Sequence, residues 1–266
     1  MKQIRYPAVA GMFYPADKQV LKQDIHRYLK QCQMASDTNI VPKAIVVPHA
    51  GYVYSGSVAA SAYQYLQPLK GKIKRVVLLG PSHRVAFKGL AVPGSEYFKT
   101  PLGEIILDKQ AIAGLLELPQ VVESNYAHEE EHSLEVQLPF LQEVLDDFSL
   151  VPVVIGDADR YEVAEVIKHL LLGHEEETVL VISSDLSHYH TYEEATRMDR
   201  ATSEAIVNYK PELIQYDDAC GRNGIKGLLT IAEERNLKAD IVDLRNSGDT
   251  AGSKDRVVGY GAYVFH

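Results

Sequence analysis

Two histidines directly follow apolar, β-branched segments, at points where strands are expected to end. His49 comes after Ala44–Val47 and one proline, and His83 comes after Val76–Leu79 and a Gly-Pro-Ser turn. Neutral imidazole is the commonest metal ligand in proteins and a common acid or base. A single histidine at such a point is equally typical of a turn that caps a helix or bonds a carbonyl. Because the arrangement occurs twice, it favours a metal site or an acid–base pair.

A third polar turn follows the apolar segment Val179–Ile182 and contains Asp185 and His188. A carboxylate and a histidine can orient a metal-bound imidazole or move a proton during a reaction. The same turn is also typical of a helix cap, in which Asp185 or Ser187 accepts backbone N–H groups. If the three apolar segments are neighbouring parallel strands, their turns meet at one sheet edge, where α/β proteins bind ligands.

Cys220 lies in a turn-rich segment, 218–224, directly before a helical pattern. A thiol at the start of a helix and beside Arg222 is expected to have a lowered pKa, which suits a metal thiolate or a nucleophile. The alternative is a buried, unreactive thiol, which is the more common state of a free cysteine. We assign that alternative to Cys32, the other cysteine, which lies within a predicted helix.

The segment His128–His132 matches the His-Glu-x-x-His pattern of zinc proteases. That chemistry requires both histidines on one face of a helix, with the first glutamate as general base. Three consecutive carboxylates instead indicate a loop that enters a helix near Leu134, since acidic residues are favoured at a helix start. We therefore predict that this is not a protease motif. A separate role for His132 at the helix start stays open.

The elements that must position these residues alternate along the chain. Short Val- and Ile-rich runs have the length and composition of buried strands, and the patterns between them are helical. This alternation predicts an α/β protein, a three-layer sandwich with a mixed, mostly parallel central sheet. The predicted strands are Ala44–Val47, Val76–Leu79, Leu150–Ile155, Val179–Ile182, Asp240–Leu244 and Val257–Phe265. The predicted helices lie near residues 20–29, 56–66, 108–116, 134–145, 160–171, 192–209 and 224–234.

The composition excludes several classes of protein. The chain has 266 residues and a formal net charge of −9, and it contains no block of lysine or arginine. This balance argues against a nucleic-acid or anionic membrane surface. Two cysteines argue against a disulfide-rich secreted scaffold, and no signal peptide or membrane-spanning apolar run is recognised. We expect one domain over residues 1–266, a cytoplasmic location, and no nucleic-acid or membrane partner.

Several of these motifs, in their order along the chain, resemble the Memo family. Its bacterial and archaeal members form the B component of the so-called AmmeMemoRadiSam system. The resemblance covers nearly the whole chain. The residues that carry it are Arg5-Tyr6-Pro7, the segment from Ala10 to Pro15, Pro48-His49-Ala50-Gly51-Tyr52, Gly80-Pro81-Ser82-His83, Glu131-His132-Ser133-Leu134-Glu135, Ser183-Ser184-Asp185 with His188, and Cys220-Gly221-Arg222.

The resemblance implies a fold similar to that of class III extradiol dioxygenases, which are non-haem iron enzymes. It implies metal ligation by His49, His83 and Cys220. The residues that it implies for the cleft are His132, Asp185, His188 and Tyr54. The dioxygenases use two histidines and a carboxylate, whereas here a cysteine takes the third position. Iron(II) is the first expectation, and copper or zinc are alternatives because a thiolate favours softer ions. The same resemblance implies radical-SAM and AMMECR-type protein partners.

Three functions are compatible with these residues. The first is a metal-dependent oxidoreductase that holds iron or copper and acts on an unknown small substrate. In it, His132, Asp185 and His188 orient ligands or shuttle protons. The second is a non-catalytic binding or adaptor module that retains the metal cleft, which the cysteine in place of a carboxylate favours. The third is a hydrolase, either zinc-dependent or with Cys220 as nucleophile and His83 as base.

Overall fold

The structure is a computed structural model that describes residues 2–32 and 40–266. Over these residues, a mixed sheet of nine strands is accompanied by a small sheet of three strands. The strands are β1 (Ile4–Arg5), β2 (Ala44–Val47), β3 (Arg75–Pro81), β4 (Leu90–Val92), β5 (Tyr97–Thr100), β6 (Gly103–Ile106), β7 (Val121–Glu123), β8 (Ser149–Ile155), β9 (Thr178–Ser183), β10 (His188–His190), β11 (Ala239–Asn246) and β12 (Val257–Phe265).

The centre of the large sheet is parallel, in the order β2, β9, β3, β8. Val46 of β2 lies opposite Ile182 of β9. Val76 of β3 lies opposite Val179 of β9 and Leu150 of β8. Nearly all side chains of these strands are buried, which is why their sequences are rich in Val, Ile and Leu without alternation. The predicted strands are confirmed, apart from one or two residues at their ends.

On both sides of its parallel centre, the large sheet continues with a strand that runs in the opposite direction. Strand β12 runs against β2 on one side and also pairs with β10 and β11. On the other side, β4 runs against β8 and carries β7 at the edge. The small sheet pairs β5 with β1 and β6, and so holds the N-terminal segment. The sequence does not predict β1, β4 to β7 or β10, because these strands of two to four residues lack the continuous run of four aliphatic residues that marks β2.

Helices cover the large sheet. Over the described residues they are α1 (Lys18–Gln31), α2 (Tyr52–Tyr63), α3 (Lys109–Leu115), α4 (Asn125–Glu129), α5 (His132–Glu135), α6 (Leu138–Val144), α7 (Arg160–Leu171), α8 (Tyr192–Val207) and α9 (Arg222–Glu234). Helices α1, α2 and α6 pack together, with α2 against β2 and β12, whereas α7 packs on α9, which contacts β3 and β9. The predicted three-layer α/β sandwich is confirmed. None of the helices in the described part of the chain has the length and apolar character needed to cross a membrane.

The single helix predicted near residues 134–145 is divided in the structure between α5 and α6. Pro139 occupies the first turn of α6, where the missing N–H of a proline is tolerated. The N–H of Gln137 donates to the carbonyl of Leu134, three residues back, at 3.2 Å. The carbonyl of Ser133, four residues back, is therefore left to accept a hydrogen bond from another part of the molecule.

Candidate metal centre

The turns after β2, β9 and β3 meet at one edge of the sheet, because these strands are adjacent and parallel. His49 follows β2, Asp185 follows β9, and His83 follows β3. Cys220 reaches the same edge from the turn before α9, and its backbone N–H donates to the Asp185 carbonyl at 3.3 Å. His49, His83 and Cys220 each contribute one ligand atom to a group in which all atoms lie within 4.8 Å of one another.

His49 is buried, with only 2% of the residue exposed. Its Nδ1 lies 2.8 Å from Ser183 Oγ, and its Nε2 lies 3.3 Å from Cys220 Sγ. Burial lowers the pKa of His49 well below its ordinary value, and a proton on the neighbouring ring of His83 or His132 would lower it further. The ring is therefore neutral at neutral pH, and neutral imidazole is the form that binds metals.

His83 is held by the carboxylate of Glu131. The His83 backbone N–H donates to Glu131 Oε2 at 2.5 Å, and the ring Nδ1 lies 2.9 Å from Glu131 Oε1. Burial raises the pKa of Glu131, but its hydrogen bonds with His83 and Ser133 outweigh this effect and lower the pKa to about 2. An ionised carboxylate can only accept, so His83 Nδ1 carries a hydrogen and Nε2 is left free. Carboxylates paired with histidines in this way orient metal-binding imidazoles.

The prediction that the Cys220 thiol has a lowered pKa is wrong. Burial and then the nearby carboxylate of Asp185 raise the pKa to about 12. The Arg222 guanidinium lies over the ring of Tyr216, 4.0 Å from its centroid, and does not offset these effects. The backbone N–H of Asp185 donates to Cys220 Sγ at 3.3 Å. A thiol in this environment becomes an anionic ligand when a cation binds beside it, because coordination removes its proton.

Two glycines allow the segments around the centre to approach closely. A Cβ on Gly221 would lie 2.6 Å from the Ser183 carbonyl oxygen. A Cβ on Gly80, within β3, would lie 2.8 Å from Ser133 Oγ. Both distances are shorter than a normal van der Waals contact, so only glycine fits at these positions. A side chain on Gly221 would displace the turn that carries Cys220, and one on Gly80 would displace α5.

His132 begins α5 and lies beside both candidate histidine ligands. Its ring centroid is 4.6 Å from that of His83 and 5.5 Å from that of His49, and Phe13 packs on it at 4.8 Å. Burial, followed by the proximity of the His83 ring, lowers the pKa of His132 to about 4. Its Nδ1 is 3.5 Å from Glu131 Oε1 but forms no hydrogen bond. His132 is therefore a neutral imidazole with one ring nitrogen unengaged.

The first histidine of the His-Glu-x-x-His segment lies away from this centre. His128 belongs to α4, and its Nε2 donates to the carbonyl of Ala91 at 2.9 Å while its ring packs against Phe98. His132 belongs to the separate helix α5. The two histidines therefore do not share a helix face, as the acidic residues between them predict. The segment is not the helical zinc motif of proteases.

The other predicted site residues surround the centre in different ways. The Asp185 carboxylate accepts the His49 backbone N–H at 2.7 Å, and burial raises its pKa to about 6. His188 begins β10, and burial lowers its pKa. Tyr54 lies in the first turn of α2 and is 41% exposed. Chemical roles for these three side chains stay predictions.

A cavity of about 940 Å³ opens beside the candidate ligands. Its wall includes His83, His188 and Cys220, whereas Tyr54 is not part of it. Lys88 also lines the cavity and carries positive charge. The volume falls in the range of cavities that enclose small organic molecules in proteins. Two of the candidate ligands, His83 and Cys220, therefore face a space that accommodates a substrate, whereas His49 lies behind its wall.

Glu135, whose role no sequence pattern indicates, anchors the N-terminal segment beside the centre. Its carboxylate is fully buried and forms an ion pair with Arg5. It also accepts the backbone N–H groups of Ala8 and Val9 at 2.8 and 3.0 Å and the Tyr14 hydroxyl at 2.6 Å. The segment is thereby fixed against α5. In the sequence, the one indication of this contact is that Glu135 and the N-terminal segment both belong to the motifs that resemble the Memo family.

The donor atoms fit a metal ion of intermediate or soft character. His49 Nε2 and Cys220 Sγ are 3.3 Å apart. This distance is close to the separation between a nitrogen and a sulfur ligand of a tetrahedral ion, which is about 3.6 Å. The other ring nitrogen of each candidate histidine is hydrogen-bonded, as in ligating histidines. Two imidazoles and a thiolate suit zinc, copper or iron rather than magnesium or calcium. Fold and site together define an α/β protein with a candidate His-His-Cys metal centre.

Comparison with known sequences identifies the family. A family described as Memo-like protein matches residues 5–264, and the chain belongs to this family. A MEMO1 family protein of Aquifex aeolicus is 37% identical over 99% of each chain. Another, from Ignicoccus hospitalis, is 38% identical over 98% of each chain. The family resemblance inferred from the motifs is confirmed.

A solved structure supports the fold. The chain is similar to uncharacterized protein JW3007 from Escherichia coli K12, with a TM-score of 0.51 and 13% sequence identity. The similarity covers 83% of this chain and 99% of the other. At this identity the likeness concerns the architecture alone, and it agrees with the three-layer sandwich.

Proposed function

We propose that this protein is a metal-dependent oxidoreductase that acts on a small substrate in the cavity beside His49, His83 and Cys220. The observation that carries the proposal is the approach of three ligand atoms within 4.8 Å, with two of the three residues, His83 and Cys220, in the wall of a cavity of about 940 Å³. Iron(II) is the expected ion because of the resemblance to non-haem iron enzymes. Copper and zinc are the alternatives, since a thiolate ligand favours softer ions.

In this proposal, Nε2 of His49, Nε2 of His83 and Sγ of Cys220 hold the ion. A bound redox-active ion supplies electron transfer and polarises the groups that coordinate it. Glu131 keeps the hydrogen of His83 on Nδ1 and so fixes the orientation of that ring. Asp185 positions His49 through the backbone N–H, at 2.7 Å.

Two further imidazoles hold or move protons in this proposal. The ring of His132 lies 4.6 Å from that of His83, centroid to centroid, and its lowered pKa keeps it in the neutral, proton-accepting form. His188 lines the cavity and also has a lowered pKa because it is buried. A neutral imidazole beside a substrate is a general base.

The environment of Cys220 favours a ligand over a nucleophile. A cysteine nucleophile reacts as the thiolate, and a pKa of about 12 leaves almost no thiolate at neutral pH. The imidazole at hydrogen-bond distance from Sγ is that of His49, at 3.3 Å, whereas the hydrolase hypothesis requires His83 as base. Both observations weigh against the cysteine hydrolase.

Metal content tests the proposal. Wild type and the variants His49→Ala, His83→Ala and Cys220→Ser are loaded anaerobically with Fe(II), Cu(I) or Zn(II), desalted and analysed by elemental mass spectrometry. We expect about one retained ion per wild-type chain and loss of that ion in all three variants. Cys32→Ser is the matched control, because Cys32 lies at the end of α1, where its Sγ contacts the Tyr28 carbonyl. Equal metal content in all proteins would refute the site.

Oxygen consumption then separates an enzyme from a binding module. The metal-loaded wild type is incubated with phenolic and other small aromatic compounds in an oxygen electrode. Consumption that depends on both the compound and the ligand residues would support the oxidoreductase. Metal binding without turnover of any of these compounds would instead favour a binding module that keeps the metal cleft.

A further inference from the structure

His49 contacts a connected series of buried polar side chains to which the proposed function assigns no role. Ser183, Gln137 and Tyr63 are each fully buried, with 0% exposure. Ser183 ends β9, Tyr63 ends α2, and Gln137 lies between α5 and α6. Polar groups buried this deeply are stable when their donors and acceptors are paired with one another. The pairing therefore determines where each hydrogen lies.

Ser183 Oγ has three polar neighbours but only one hydrogen. It lies 2.6 Å from the Ser133 carbonyl oxygen, 2.8 Å from Gln137 Nε2 and 2.8 Å from His49 Nδ1. A carbonyl oxygen can only accept, so the Ser183 hydroxyl donates its hydrogen to Ser133. That carbonyl is free to accept because the Gln137 N–H is bonded to Leu134 at the helix interruption. In its two other contacts, Ser183 Oγ must be the acceptor.

Gln137 is held in one orientation by its other partners. Its Nε2 donates to the Pro48 carbonyl at 3.0 Å, and its Oε1 accepts the Tyr63 hydroxyl at 2.9 Å. The two hydrogens on Nε2 are thus used on Pro48 and Ser183. The reversed amide would place Oε1 against the Pro48 carbonyl, which would bury two acceptors in contact. Gln137 therefore donates to Ser183 and does not accept from it.

We propose that Ser183, oriented by Gln137 and Tyr63, holds the neutral imidazole of His49 in the tautomer with its hydrogen on Nδ1. The contact of 2.8 Å is then a hydrogen bond from Nδ1 to Ser183 Oγ. Nε2 carries no hydrogen and faces Cys220 Sγ at 3.3 Å. A histidine free in water favours the opposite tautomer, so the buried partners reverse the intrinsic preference of the ring. Ser183, Gln137 and Tyr63 are positioning residues that act through His49.

The consequence for metal binding rests on the proposed function. An imidazole binds an ion through a nitrogen without hydrogen. If Ser183 is removed, His49 returns to the tautomer with its hydrogen on Nε2, and this hydrogen must move before the nitrogen binds an ion. Loss of partners that orient a ligating histidine typically weakens metal binding by about 10- to 100-fold.

The tautomer is measured directly by NMR on protein treated with a chelator. Long-range ¹H–¹⁵N correlation spectra of ¹⁵N-histidine-labelled protein distinguish the tautomers, and His49→Gln identifies the His49 signals. We expect hydrogen on Nδ1 in the wild type and on Nε2 in Ser183→Ala. The matched control is Ser203→Ala, which removes another fully buried hydroxyl, on α8, and should leave the His49 signals unchanged.

Two NMR results would overturn the proposal. One is hydrogen on Nε2 of His49 in the wild type, a result that does not depend on whether Ser183→Ala folds or whether the protein binds metal. The other is a folded Ser183→Ala variant in which the His49 tautomer is unchanged.

Metal affinity measures the consequence of the tautomer. Zn(II) dissociation constants are determined by competition with a chromophoric chelator. We expect Ser183→Ala to raise the constant by about 10- to 100-fold, and Ser183→Thr, which keeps the hydroxyl, to restore it. Weakened binding with an unchanged His49 tautomer would assign the loss to packing and overturn the proposal. If the wild type binds no ion but has hydrogen on Nδ1, the proposed function fails and the tautomer assignment stands.

Discussion

Replacement of Glu135 by glutamine tests the anchor that holds the N-terminal segment on α5. The change keeps the size of the side chain, removes its negative charge and turns one acceptor oxygen into an NH₂ donor. Each oxygen of the native carboxylate accepts from two groups: Oε2 from Arg5 and Ala8, and Oε1 from Val9 and Tyr14. An NH₂ group in place of Oε2 faces two donors, Arg5 and the Ala8 N–H. An NH₂ group in place of Oε1 faces the Val9 N–H, although the Tyr14 hydroxyl can turn to accept from it. In addition, the Arg5 guanidinium loses its counter-charge.

The size of the effect follows from burial. The side chains of Glu135 and Arg5 are 0% and 6% exposed, so water cannot replace the lost contacts. Removal of one partner from a buried ion pair typically destabilises a protein by about 3–5 kcal/mol. That loss is a large part of the free energy of unfolding of a typical protein, which is about 5–15 kcal/mol. At about 2–4 °C per kcal/mol, we expect Glu135→Gln to lower the Tm by about 6–20 °C.

Thermal and urea unfolding, followed by circular dichroism, measure this loss. Glu130→Gln is the matched control, because Glu130 is an exposed glutamate just before α5, and it should change the free energy of unfolding by less than about 0.5 kcal/mol. The double variant Arg5→Met/Glu135→Met removes both charges and should be less destabilised than the sum of its single variants. A loss below about 1 kcal/mol in Glu135→Gln, or strict additivity in the double variant, would refute the anchor.

Three further substitutions test other parts of the molecule. Glu131→Gln removes the ionised acceptor of His83, so the Zn(II) dissociation constant in chelator competition should rise by about 10- to 100-fold; an unchanged constant would contradict the carboxylate–histidine pair. Gly221→Ala adds a Cβ that would lie 2.6 Å from a carbonyl oxygen of β9. In a background without the other cysteine, the displaced Cys220 thiol should react faster with a colorimetric thiol reagent, and an unaltered rate would show that the turn tolerates a side chain. His128→Gln removes a histidine whose pKa burial lowers from 6.5 to about 4. Between about pH 4 and pH 6.5, His128 binds a proton in the unfolded chain but not in the folded chain. Protonation of His128 therefore lowers the free energy of unfolding as the pH drops. Urea titrations should show that the variant loses about 2 kcal/mol less than wild type between pH 7.5 and pH 5, and equal losses would contradict the assignment.

The edge that carries the site was predictable from sequence because its strands have a clear signal. Strands β2, β3 and β9 are buried on both faces, so their Val- and Ile-rich runs stand out, and each run ends in a polar turn. Their order was not predictable. Strand β9 lies between β2 and β3, although it follows both in the chain. Periodicity reports how a strand is buried, whereas the neighbour of each strand is decided by the packing of the whole sheet.

The pKa of Cys220 shows where reasoning from neighbours in the sequence fails. Arg222 is two positions away and predicts a stabilised thiolate, but its guanidinium stacks on Tyr216. The groups that control the thiol are burial and the carboxylate of Asp185, which comes from the end of a different strand. Electrostatic environment depends on distance in space and on exclusion of water, and neither can be read from spacing along the chain.

Glu135 and Gln137 were missed for a related reason. In the sequence they are polar residues within the helix predicted near residues 134–145, and nothing in the helical pattern marks them as buried. In the structure the helix is interrupted between them, and both side chains are fully buried. Their partners come from the N-terminal segment, α2 and the turn after β2. Only the tertiary fold brings these partners together.

The most direct test of the metal centre is anomalous X-ray scattering at the absorption edge of the ion, from crystals loaded anaerobically with Fe(II). The ligands assigned here predict one strong peak at about 2.0–2.3 Å from His49 Nε2, His83 Nε2 and Cys220 Sγ. Crystals loaded with copper or zinc would place the alternative ions at the same position. A peak bound by other side chains, or no peak beside Cys220 with any of the three metals, would contradict the assignment.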